Sequence, residues 1–197
     1  TVPYLPIDPG DVGRQYETDV IRINSQSGKG GIGYLLEHQF GYDLPKKMRE
    51  DVGYTVKSIS DHAHAELSPD EVLKAFTDNY ININTPIKLI DYHFFRSESI
   101  KVMLTVEMNG ETKEVIANGN GRLDAVSNAV RDSLGVSFSE LTYEEHALTI
   151  GSSSQAISYV GITLDNGKLV WGAGVNDDII AASINALFSA INRGLQA

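Results

Sequence analysis

The stretch Gly119-Asn120-Gly121-Arg122-Leu123-Asp124-Ala125-Val126-Ser127-Asn128-Ala129-Val130 returns, altered, as Asn176-Asp177-Asp178-Ile179-Ile180-Ala181-Ala182-Ser183-Ile184-Asn185-Ala186-Leu187. Leu123, Ala125, Asn128, Ala129 and Val130 fall on Ile180, Ala182, Asn185, Ala186 and Leu187. Each copy follows an apolar, strand-like run, residues 114–117 in the first and 169–171 in the second. Each run in turn follows an Asn-Gly turn, Asn109-Gly110 or Asn166-Gly167. A unit of hairpin, Gly-rich turn and small-residue helix is therefore used twice. Internal duplication bounds a fold more tightly than a single motif does. Two copies can pair about a pseudo-two-fold axis, which suits a small-molecule binding module better than a one-off catalytic cleft.

Working outward from the repeat, strands are expected at 87–95, 100–108 and 112–117. In the middle one, Val102, Leu104, Val106 and Met108 alternate with Lys101, Thr105 and Glu107, as a half-buried strand requires. A helix follows at 122–134. Strands at 136–146, 156–164 and 168–172 and a helix at 178–193 complete a second βββα set. The class is α+β, with antiparallel sheet and helices packed on one face. Ala181, Ala182, Ser183, Ala186, Ser189 and Ala190 are small enough to let the last helix approach a sheet or another helix closely.

The first 80 residues differ in texture. Pro3, Pro6, Pro9, Gly10 and Gly13 mark an extended or turning connector. Residues 20–24 alternate as a short strand would, and 25–33 read as a Gly-rich loop. Met48, Val52, Val56 and Ile59 are spaced for a helix over 44–65. Ser68-Pro69-Asp70-Glu71 has the form of a helix start, with an N-cap Ser, Pro at the first helical position and Glu at the capping-box position. That helix runs on through Val72, Leu73, Phe76 and Tyr80. The opening at Thr1 without an initiator Met suggests a cut inside a longer protein.

Of 197 residues, 16 are basic and 26 acidic, a net charge of −10. That balance argues against nucleic acid and against anionic membrane surfaces, both of which select clustered Lys and Arg. No cysteine is present, which excludes disulfides, thiolate metal sites and Cys nucleophiles. No apolar stretch approaches the ~20 residues that span a bilayer. A cytoplasmic setting is expected.

Several strings resemble catalytic or ligand motifs. Ser27-Gly28-Lys29-Gly30-Gly31 lacks the spacing and hydroxyl of a phosphate loop and reads as a flexible or substrate-gating loop. His62 and His64 stand two apart beside Asp61 and Glu66, but at a helix end such positions diverge, so no metal site is assigned. His38, His93 and His146 are isolated and expected to be structural. No Gly-x-Ser-x-Gly elbow occurs, and Ser152–Ser154 read as a loop. Glu144 and Glu145 are expected to face water at a strand edge. Gly119-Asn120-Gly121 is more informative. It joins a strand to a helix whose N-terminus offers backbone N–H groups and positive dipole character, a place for a carboxylate. Leu123, Ala125 and Ile179 beside it suit a free amino acid with a branched apolar side chain.

These residues carry a resemblance. Val2-Pro3-Tyr4-Leu5-Pro6-Ile7-Asp8-Pro9, Asp11-Val12-Gly13-Arg14 and Asn24-Ser25-Gln26-Ser27-Gly28-Lys29-Gly30-Gly31 are similar to 2-isopropylmalate synthases after their catalytic barrel. Gly119-Asn120-Gly121, Tyr143-Glu144-Glu145-His146-Ala147, Trp171-Gly172-Ala173-Gly174 and Ala182-Ser183 resemble that family's C-terminal regulatory domain. The resemblance implies a helical linker subdomain, residues 1–82, then a duplicated βββα regulatory domain, 83–197, that binds L-leucine and forms a homodimer. It implies an enzyme that condenses acetyl-CoA with 2-oxoisovalerate, the first committed step of leucine biosynthesis. Its divalent metal would sit in a barrel preceding residue 1, leaving this fragment without catalytic residues or cofactor. Tyr4, Ser27, Gly28, Lys29 and Gly30 would communicate with the active site.

Carried over by position, the leucine pocket falls on Gly119, Asn120, Gly121, Leu123, Asp124, Ala125, Tyr143, Ala147, Ser154, Ala156 and Ile179. Asp124 and Ser154 stand where the family has smaller apolar residues. An acid at position 124 is unfavourable beside a bound carboxylate unless it meets the ligand's ammonium. Three other readings remain open: an isoleucine sensor of the citramalate synthase type, a dimerisation module that senses nothing, and a hydrolase built on His62 and His64.

Overall fold

A computed structural model describes residues 29–148 and 154–196. The backbone separates into two compact units, one ending at Asp78 and the other beginning at Asn79.

Among the described residues the first unit is helical. Helix α1 spans Lys29–Phe40, α2 spans Lys46–Ala63 and α3 spans Pro69–Tyr80. The Gly-rich loop expected over 25–33 is thus corrected from Lys29 onward. Ile32, Leu35 and Leu36, at helical spacing, are 1%, 2% and 0% exposed, and their burial outweighs the helix-weakening effect of Gly30, Gly31 and Gly33. Met48, Val52 and Val56 form the buried stripe of α2, as their spacing predicts. Arg49 donates to Glu37, Asp43 and the Leu44 carbonyl, tying α2 to the end of α1. The start of α3 is a capping box: Glu71 N–H donates to Ser68 Oγ (3.2 Å), and Ser68 N–H donates to the Glu71 carboxylate (2.9 Å). The expected strand at 20–24 lies outside the described residues.

The second unit holds the duplication. Its elements are β1 (Ile87–Arg96), β2 (Ile100–Met108), β3 (Glu111–Gly119), α4 (Arg122–Leu134), β4 (Phe138–Leu148), β5 (Gln155–Leu164), β6 (Leu169–Asn176) and α5 (Ile179–Gln196). The two hairpin turns place Asn109, Gly110 and Gly167 at positive φ. Strands β1-β2-β3 form one antiparallel sheet and β4-β5-β6 another. Val102, Leu104 and Val106 are fully buried on one face of β2 and join residues of α4, β5 and α5 in one core. The outer face of the first sheet leaves Phe95 and Ile116 about half exposed, whereas β5 and β6 are buried on both faces.

Close packing sets the position of α5. A Cβ added at Gly172 would lie 2.6 Å from the Ser189 carbonyl carbon, and one added at Gly174 would collide with the Ala182 carbonyl oxygen. The small residues of α5 and the two glycines of β6 are therefore complementary halves of one contact. Polar groups on the same helix anchor the chain that leads into β1. Ser189 Oγ accepts from Ile83 N–H (2.7 Å), and Asn192 bonds Ile87 N–H and the carbonyls of Ile83 and Ile87, each at 2.8 Å. Among the described residues no helix is long and apolar enough to cross a membrane.

Candidate functional site

Helix α4 has Gly121 as its N-cap, in extended conformation (φ −147°, ψ −179°) and without a side-chain cap. A Cβ there would meet nothing within 4 Å. Gly119 is different: a Cβ there would lie 2.7 Å from Ala125 Cα, so only glycine lets α4 approach β3 this closely. Asp124 folds back, and Asn120 N–H donates to its Oδ2 at 2.8 Å. The other helix is finished differently. Asp178 stands at the position equivalent to Gly121, and its carboxylate accepts from Ile180 N–H at 3.0 Å. One helix of the pair closes its own N-terminus with a side chain. The other leaves first-turn N–H groups, which have no partner within the helix, facing outward.

A cavity of about 310 Å³ opens beside that uncapped turn. Arg122 and Leu123 line it from α4, Tyr143 and Glu145 from β4, and Ile179, Ile180, Ser183 and Ile184 from α5. The Tyr143 hydroxyl donates to the Glu145 carboxylate and lies 3.0 Å from Ser183 Oγ. Ser183 Oγ also donates to the Ile179 carbonyl (2.8 Å) and stands 3.4 Å from Ser158 Oγ. Partial burial, and then the bond to Glu145, push the Tyr143 phenol above its ordinary range. The cavity thus has an aliphatic wall, a phenol–carboxylate pair and a guanidinium.

The structure brings Leu123, Tyr143 and Ile179 together on this cavity. Gly119, Asn120, Gly121, Asp124 and Ala125 form the adjoining turn, with Ala125 fully buried under it. Ala147 and Ala156 are register partners, on the face of the sheet that carries Tyr143 and Glu145, but they lie farther along the strands and do not line the cavity. Ser154 is exposed, just before β5, and does not line it either. Arg122, Glu145, Ile180, Ser183 and Ile184 are lining residues beyond the expected set. Helical spacing from Ile179 could have found Ser183. Strand alternation from Tyr143 could have found Glu145, which is exposed as expected but turned toward Tyr143 rather than left to water alone.

Lys29 and Gly30 fall in the first turn of α1, and Gly30 has open space around it. Tyr4, Ser27 and Gly28 lie outside the described residues, as do Ser152 and Ser153. His62 Nδ1–H donates to the Ser58 carbonyl (2.7 Å), while His64 forms the left-handed C-cap of α2. His146 bonds Tyr159 OH at 2.8 Å, His93 pairs with Asp91 at 3.1 Å, and His38 packs on Tyr34. Among the described residues no group of three His, Asp or Glu comes together as a metal site would.

Residues 66–195 match the family model described as the LeuA allosteric (dimerisation) domain. The chain belongs to the LeuA allosteric (dimerisation) domain family. Residues 1–37 match a second model, described as alpha-isopropylmalate synthase, post-catalytic domain-like. The LeuA domain and its preceding segment are similar to the 2-isopropylmalate synthase of Desulfitobacterium hafniense (strain Y51), 54% identical over 191 residues, covering 97% of this chain and 34% of the relative. The 2-isopropylmalate synthase of Helicobacter hepaticus is 48% identical, with 98% of this chain and 36% of the relative covered. That of Clostridium acetobutylicum is 41% identical, with 98% and 35% covered. The chain therefore spans about a third of the length of the curated relatives it matches. The family match covers the duplicated unit and so agrees with the α+β architecture of paired βββα sets.

Proposed function

We propose that this LeuA domain is the C-terminal regulatory region of a 2-isopropylmalate synthase and that it binds L-leucine for feedback inhibition as a homodimer. On this reading the condensation of acetyl-CoA with 2-oxoisovalerate, and the divalent metal that the resemblance implies, belong to a part of the enzyme outside these residues. This part senses.

The observation that carries the reading is the cavity at the uncapped turn of α4. Its aliphatic wall of Leu123, Ile179, Ile180 and Ile184 matches an isobutyl side chain. Its volume lies at the small end of ligand pockets, roughly 300–1,000 Å³. The open first turn of α4 matches a carboxylate, since helix N-termini favour anions. Asp124 already holds Asn120 N–H, so the carboxylate is placed on the groups from Gly121 onward rather than on Asn120. Feedback then requires that leucine bind the inhibited arrangement of the enzyme more tightly than the active one, because a ligand shifts an equilibrium only by its differential affinity.

Calorimetric titration of the chain with L-leucine, L-isoleucine and L-valine tests this. Saturable binding with leucine the tightest is expected. Isoleucine binding more tightly would reassign the cavity to an isoleucine sensor, and an intact dimer that binds none of the three would leave an assembly module.

A further inference from the structure

An α-amino acid differs from other small branched acids by its ammonium, so the cavity needs an acceptor for that group. Asp124 is the acid the sequence offers next to the turn; its Oδ2 accepts from Asn120 N–H at 2.8 Å, and what sets it aside is that it does not line the cavity. Glu145 does line it. Its Oε2 accepts from Tyr143 OH, and Tyr143 is steadied in turn by Ser183 at 3.0 Å. A carboxylate has two oxygens and about four acceptor directions. That bond therefore orients Glu145 while leaving acceptor capacity toward the cavity. Arg122, the positive side chain of the lining, belongs to the uncapped helix turn. It sits 5.8 Å from the centre of the Phe94 ring, at the loose end of a cation–π contact.

The duplication supplies an internal comparison. Glu145 pairs with Ser158, which pairs with Gly174. In the first repeat Phe94 pairs with Val102, which pairs with Ala117. Ala117 and Gly174 precede their helices by the same number of positions, so Phe94 is the counterpart of Glu145. By the same register Tyr92 is the counterpart of Tyr143. The first repeat keeps the tyrosine and puts a phenyl ring where the acid stands. The helix end that would face that ring is closed by Asp178. Both charged poles, acid and open helix end, occur together at one of the two equivalent places.

We propose that Glu145 is the specificity-determining residue of the cavity. Its carboxylate receives the ammonium of an α-amino acid, while Arg122 and the first turn of α4 receive the ligand's carboxylate, at one site per chain. The inference rests on the leucine reading above and names the group that enforces it.

Three ligands with related carbon skeletons separate the poles: L-leucine, 4-methyl-2-oxopentanoate without the ammonium, and 3-methylbutylamine without the carboxylate. Titrated into the wild-type chain, leucine binds at one per chain and the oxo acid at least about tenfold more weakly. Glu145→Gln keeps the shape and an acceptor for Tyr143, and the position is exposed, so the variant folds; near-ultraviolet circular dichroism checks that. It loses at least about tenfold in leucine affinity and binds the oxo acid no less tightly than the wild type does. Tyr143→Phe, which removes the group orienting Glu145, loses less. Wild-type affinity for leucine in folded Glu145→Gln would overturn the assignment while leaving the leucine reading standing. So would a wild-type chain that binds the oxo acid as tightly as leucine. No leucine binding by the wild type would overturn both.

Discussion

A Cβ at Gly121 would enter open space, while one at Gly119, two residues earlier, would run into the backbone of Ala125. The two glycines therefore respond differently to substitution. Gly119→Ala is expected to destabilise the second unit by about 1–3 kcal/mol, the usual cost of overfilling a packed contact, read by urea denaturation. Gly121→Asp is expected to leave stability intact, since Asp is a favoured N-cap and the site is roomy. It should abolish leucine binding by placing a carboxylate where the ligand's own would sit. Retained leucine affinity in that variant would remove Gly121 from the site. The sequence marked both glycines alike, because the distance from a glycine to a neighbouring helix is a tertiary fact. It also left Glu145 facing water, since strand periodicity gives a face but not the neighbour that the face meets.

At the scale of elements, the Asn-Gly turns and the two alternations of period made the strands and helices of the repeat legible to within a few residues. The capping box predicted at Ser68 is formed. Because Ser68 N–H donates to it, the Glu71 carboxyl is held below its ordinary range. Its folded-state pKa is thus lower than its unfolded one. The stabilisation is fully present above the unfolded value and is lost as pH falls through the folded value. Glu71→Gln should therefore flatten the acid side of the stability–pH curve of the first unit, measured by thermal melts between pH 3 and 7 (on the order of the carboxylate range). An unchanged curve would contradict the assignment. Helix α1 was not legible as a helix from its start. Its glycines outweighed the spacing of Ile32, Leu35 and Leu36, which becomes decisive only once those three are seen to be buried. For α5, small residues signalled close approach, and Gly172 and Gly174 are the other half of the signal. Gly174→Ala should destabilise by at least about 1–3 kcal/mol, because the obstacle is the Ala182 carbonyl rather than a flexible side chain.

At the scale of the molecule, duplication has produced two similar sheets and helices but, among the described residues, one place where an uncapped helix, an aliphatic wall and an acid coincide. A ligand that binds the folded state alone stabilises it by mass action, about 2.7 kcal/mol at a hundredfold excess over Kd. Leucine should accordingly raise the melting temperature of the second unit, while light scattering should report twice the chain mass with and without it. A second cavity, of about 450 Å³ near Val136, Ile162 and Leu195, provides an independent comparison. The most direct measurement is a leucine titration of the isotopically labelled chain followed by backbone amide resonances. Leucine binding in the cavity beside α4 predicts saturable shifts concentrated at Gly121, Arg122, Leu123, Tyr143, Glu145 and Ile179, with little change around Val136 and Leu195. Saturating leucine that moves none of these amides, or that moves those around Val136 and Leu195 instead, would contradict it.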